Sequence, residues 1–66
     1  MVLLTMIDYP TEKIQTIGEF ELIQITYDLL RGWNKGEDKE IAHFNGENWE
    51  HKNVEYSDFT IIDVSP

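Results

Sequence analysis

The sequence predicts a small α+β domain, mainly β: an antiparallel sheet with an Asn-Gly hairpin and at most one or two short helices. Three observations predict it. Short β-branched and aliphatic runs alternate with polar residues at the two-residue period of half-buried strands. Asn45-Gly46, a pair that tolerates the positive φ angles of tight hairpin turns, stands between EIAHF and ENWEH. The chain of 66 residues has no cysteine, so a single domain, residues 1–66, must fold on a thin core without disulfides or thiolate metal sites. So thin a core makes a second copy of the chain or a partner surface an expected source of stability.

The elements follow in chain order. Residues 1–7, MVLLTMI, are apolar and partly β-branched and end at the turn-like Asp8-Tyr9-Pro10, which predicts a short buried strand. Residues 11–17, TEKIQTI, place Ile14 and Ile17 at i, i+3 spacing behind an early Glu12, which predicts one or two helical turns that Gly18 ends. Residues 20–30 fit two patterns, a helical stripe of Phe20, Ile23, Tyr27 and Leu30 and an alternation of Ile23, Ile25, Tyr27 and Leu29. Two Ile, a Thr and a Tyr within five residues favour the strand. Residues 31–38, RGWNKGED, read as a polar loop. In the hairpin that follows, a two-residue turn puts Ala42, Phe44 and Trp49 on one face, and a four-residue loop still joins Phe44 to Trp49. A polar stretch, HKNVEYSD, and an apolar run, FTIIDV, complete the pattern.

Charge is the most informative global property. Thirteen carboxylates face five Lys or Arg, a net charge of −8. Such a surface repels nucleic acid and anionic membranes and attracts proteins with basic clefts. An acidic surface also serves solubility alone. With 41% apolar residues the composition is that of a folded domain. No signal-peptide pattern appears, and the longest apolar run falls well short of the ~20 residues of a membrane span, so a cytoplasmic protein is expected.

Nothing in the sequence assembles a catalytic centre. The glycines form no phosphate-binding motif. His43 and His51 stand on opposite arms of the hairpin and are expected on opposite faces, with no third metal ligand in spacing. The carboxylates match no calcium loop. The expectation is a binding protein without cofactor, metal or catalytic residues.

The segment Gly46–Ile62, GENWEHKNVEYSDFTII, resembles the small uracil-DNA glycosylase inhibitors of Bacillus phages. The matching positions are His51, Lys52, Ser57, Asp58, Phe59, Ile61 and Ile62, without gaps from His51 to Phe59. The resemblance implies a homodimer with an antiparallel sheet and one helix that occupies the DNA-binding face of the glycosylase. It also implies that Phe59 helps receive an apolar side chain which the enzyme otherwise inserts into DNA. The sequence departs from the family at Thr60, where an acidic residue is usual, and after residue 66, where the family continues into another strand. Under the resemblance, a strand upstream of the hairpin takes that strand's place.

Physical reasoning reaches the same class. An inhibitor of a base-flipping enzyme needs carboxylates in place of phosphates and an apolar receptor for the wedge. Glu50, Glu55, Tyr56, Asp58 and Phe59 are the expected partner-binding residues, while Phe44 and Trp49 belong to the core. Two alternatives stay open. One is an inhibitor of another nucleic-acid-binding enzyme of the host, such as a CRISPR nuclease or RNA polymerase. The other is a structural or accessory module without inhibitory action.

Overall fold

The apolar N-terminal run forms β1 (Val2–Asp8), which lies between two neighbours in the computed structural model of residues 1–64. The chain continues through β2 (Ile14–Phe20), β3 (Leu22–Thr26), β4 (Leu29–Asn34), β5 (Glu37–Phe44), β6 (Trp49–His51) and β7 (Val54–Asp63). The seven strands make one sheet in the order β2-β1-β7-β6-β5-β4-β3, and every neighbouring pair is antiparallel. No helix occurs among the described residues, so none is long and apolar enough to cross a membrane.

β2 and β3 stand at opposite ends of that order, yet only Glu21 separates them in sequence. One segment, bent at Glu21, therefore supplies both edges and curls the sheet back on itself. Hydrogen bonds pin the bend. The Glu21 N–H donates to the Trp33 carbonyl at 2.9 Å and to Asn34 Oδ1 at 3.1 Å. Asn34 Nδ2 donates to the Glu19 carbonyl at 2.9 Å, and the Lys35 N–H donates to the Glu21 carboxylate. Next to the bend Phe20 crosses to β4, where Gly32 has no side chain to block it: a Cβ there would meet Phe20 Cδ1 and Ile41 Cδ1 at 2.7 Å.

The concave face holds the core. Leu4, Met6, Leu30, Ala42 and Tyr56 are buried, and Ile17, Phe20, Ile23, Ile41, Trp49 and Phe59 pack against them. Complete burial of a side chain such as Leu4 or Leu30 contributes ~1.5–3 kcal/mol, and few residues reach it, so the aromatics must extend the cluster. Phe44, Trp49 and Phe59 do so as a chain, with ring centroids 5.3 Å apart at each step and Phe59 edge-on to Trp49.

Several expectations are corrected. The fold is all β, not α+β. The predicted helical turns in residues 11–17 are instead the end of a turn and the start of β2, whose backbone pairs with the N–H and C=O groups on one flank of β1. Ile17, the extra residue of β2 at a register shift between Leu4 and Thr5, packs against the core, while Ile14, facing the other way, is 72% exposed. Residues three apart in a strand point to opposite faces, so the i, i+3 spacing of these isoleucines marks no helical stripe. Residues 20–30 are strand, but Tyr27-Asp28 turns the chain between β3 and β4. The expected loop over residues 31–38 is a hairpin whose turn is Lys35-Gly36, both at positive φ.

Candidate acidic face on the β5–β6–β7 strands

The Asn45-Gly46 hairpin exists with a four-residue loop, so Phe44 pairs with Trp49 and His43 with Glu50. Asn45 organises the loop: its Oδ1 accepts from the N–H of Glu47 at 2.9 Å and of Asn48 at 2.8 Å. Glycine is needed at position 46, where φ is +103°. A second, two-residue turn at Lys52-Asn53, both residues at positive φ, returns the chain into β7. That turn sets Trp49 opposite Tyr56 and Glu50 opposite Glu55.

Strand alternation sorts these residues onto two faces. Trp49, His51 and Tyr56 face the core. His51 Nδ1 lies 2.8 Å from the Ile41 carbonyl. Glu50 and Glu55 face outward, in a cross-strand row with His43 of β5. Directly opposed side chains have Cβ atoms ~4.5–5.5 Å apart, and like charges in that arrangement are destabilising. The carboxylates are nevertheless held in place, mostly by neutral donors. Asn45 Nδ2 donates to Glu50 Oε1 at 3.1 Å and Asn48 Nδ2 to Glu55 Oε2 at 2.9 Å, while His43 Nε2 lies 3.0 Å from Glu50 Oε2.

Two of the five cations, Arg31 and Lys39, engage carboxylates outside this face. Arg31 grips Asp38 through Nε at 3.2 Å and Nη2 at 2.8 Å, and this bond raises the Arg31 pKa above its ordinary value. Lys39 pairs with Glu37 at 3.5 Å. Among the described residues no Lys or Arg pairs with Glu47, Glu50, Glu55 or Asp58.

The expected partner-binding residues divide accordingly. A register shift between Ile7 and Asp8 puts an extra residue, Ser57, into β7. The bulge lets Tyr56 and Phe59, three apart, share the core face, while Glu55 and Asp58 share the outer one. Tyr56 is 4% exposed and belongs to the core cluster. Phe59 packs on Trp49, and its N–H donates to the Asp58 carboxylate at 2.8 Å. Glu50, Glu55 and Asp58 are thus the outward members of the set. Sequence reasoning missed His43, Asn45 and Asn48, which hold the carboxylates. The signal was the loop length: a four-residue loop sets His43 against Glu50 and brings both asparagines beside the acidic pair.

No family model matches this chain, and neither a curated protein nor a solved structure does.

Proposed function

We propose that this protein is an acidic DNA mimic that binds the nucleic-acid-binding surface of a partner protein and so blocks it. The observation that carries this reading is the Glu50–Glu55 pair. Two carboxylates stand opposite each other at a cost to stability, held by the amides of Asn45 and Asn48, with His43 beside Glu50. A solubilising surface has no need of ordered like charges, whereas a phosphate imitation does. Asp58 extends the row along β7.

The favoured target is uracil-DNA glycosylase, to which the resemblance over Ser57, Asp58 and Phe59 points. Glu50, Glu55 and Asp58 take the phosphate role, and Phe59 supports Asp58 from the core side. Such a protein acts in the cytoplasm, that of the host cell if a phage encodes it. It is a binding protein and not an enzyme.

The test is displacement of a labelled duplex from purified uracil-DNA glycosylase, read beside uracil excision. Loss of both in proportion to added protein supports the reading. A ternary complex of enzyme, DNA and this protein would overturn mimicry. Displacement of DNA from another basic enzyme, with the glycosylase untouched, would keep mimicry and reject the target.

A further inference from the structure

Asn45-Gly46 carries chemistry beyond its part in turning the chain. Asparagine before glycine is prone to lose its side-chain amide, because no Cβ shields the peptide nitrogen that follows. Asn34 precedes Lys35, Asn48 precedes Trp49 and Asn53 precedes Val54, so Asn45 alone among the asparagines has a glycine next to it.

The loop geometry prepares the reaction. Asn45 Oδ1 accepts from the N–H of Glu47 at 2.9 Å and of Asn48 at 2.8 Å, which curls the side chain back over its own backbone. The Gly46 nitrogen lies within the ring that the bond to Glu47 closes, so the nucleophile and the amide carbon are held together. The same two donors surround the oxygen on which negative charge develops when a nucleophile adds to Asn45 Cγ, as in an oxyanion hole. Among the described residues the Gly46 N–H donates no backbone hydrogen bond, and a Cβ at position 46 would meet nothing within 4 Å. Water and base reach the nitrogen that must give up its proton.

We propose that Asn45 is a self-modification site, converted in the folded protein to aspartate and isoaspartate. The Gly46 nitrogen attacks Asn45 Cγ and forms a new C–N bond. The Cγ–Nδ2 bond breaks, and the proton from Gly46 leaves with Nδ2 as ammonia. Water then opens the cyclic imide. Cleavage at Cγ gives aspartate, and cleavage at the main-chain carbonyl carbon gives isoaspartate, with no oxidant or metal required.

Either product remodels the acidic face. Asn45 Nδ2 donates to Glu50 Oε1 at 3.1 Å, and ammonia carries that donor away. Aspartate sets a carboxylate against Glu50 in its place, yet keeps an oxygen for the N–H groups of Glu47 and Asn48. Isoaspartate lengthens the main chain inside the loop and disturbs the pairing of Phe44 with Trp49. The modification does not depend on what the acidic face binds.

Incubation of the whole chain at physiological temperature and mildly alkaline pH tests it. Anion exchange separates the more acidic products, and peptide mapping by mass spectrometry assigns the position. Asn45 is expected to convert about tenfold or more faster than Asn34, Asn48 or Asn53. Conversion in the folded chain at least as fast as in guanidinium supports the proposal. Slower conversion when folded overturns it, because the hairpin then shields Asn45. Asn45→Asp is expected to co-elute with the aspartate product, to remain folded by circular dichroism and to melt below the wild type. Addition of Glu50→Gln is expected to restore that melting temperature. An Asn45→Asp variant that melts as the wild type does would overturn the consequence for Glu50.

Discussion

Phe20 lies against the backbone of Gly32, so close that a Cβ at position 32 would stand 2.7 Å from its Cδ1. This contact ties the bent β2–β3 segment to β4 and closes one end of the curled sheet. Gly32→Ala must move both the Phe20 ring and the Ile41 side chain, and overpacking of this kind costs ~1–3 kcal/mol. For a domain of this size each kcal/mol lowers the melting temperature by about 4–8 °C. Thermal unfolding is expected to show that loss, with partner binding unchanged while the chain is folded.

The Glu50–Glu55 pair makes stability and binding move in opposite directions. Glu55→Gln removes one of two opposed charges and keeps an oxygen for the Asn48 amide. Stability is expected to rise by ~0.2–1 kcal/mol in chemical denaturation, while affinity for the basic partner falls. Glu50→Gln is expected to act likewise, less cleanly because His43 loses its charged acceptor. A variant that loses stability would remove the repulsion on which the reading rests.

How far the sequence disclosed this depended on range. β1 and the Asn45-Gly46 hairpin were legible because an apolar run and a turn dipeptide are local signals. Ile14 and Ile17 misled because their spacing fits a helical stripe as well as the two faces of a strand, and the long-range pairing with β1 decides between them. Lys35-Gly36 and Lys52-Asn53 lacked the usual composition of hairpin turns, so β4 was hidden in an apparent loop and β6 and β7 ran together. At the candidate site the acidic residues were named individually. Their opposition was not visible, since it needs the register of two successive hairpins. Nor was the shared face of Tyr56 and Phe59, which the extra residue at Ser57 creates.

Salt tests the proposed contact of the acidic face. Encounter with a basic partner is steered by the net charge of −8, so its association rate is expected to fall steeply as ionic strength rises, with a smaller change in dissociation. Stopped-flow mixing at several salt concentrations measures this, and the Glu50→Gln, Glu55→Gln double variant is expected to flatten the dependence. A partner-association rate indifferent to salt would dismiss phosphate imitation.

Phe59 brings the resemblance and the fold into direct comparison. The resemblance places its ring at the contact, whereas in the fold the ring packs edge-on against Trp49 beside the buried core. Phe→Ala in a core costs ~3–5 kcal/mol, and this partly buried ring belongs near the lower end. A chain of this length has only about 3–10 kcal/mol of stability in total, so Phe59→Ala is expected to melt far earlier and to lose binding in step with its unfolded fraction. Phe59→Leu separates fold from contact because it retains much of the apolar volume. It is expected to recover most of the melting temperature and, with Asp58 again held by the backbone at position 59, nearly all of the affinity. Should Phe59→Leu fold well yet bind about tenfold more weakly, the aromatic ring itself meets the partner, as hot-spot aromatics do. Calorimetric melting alongside titration of the same samples distinguishes the two outcomes.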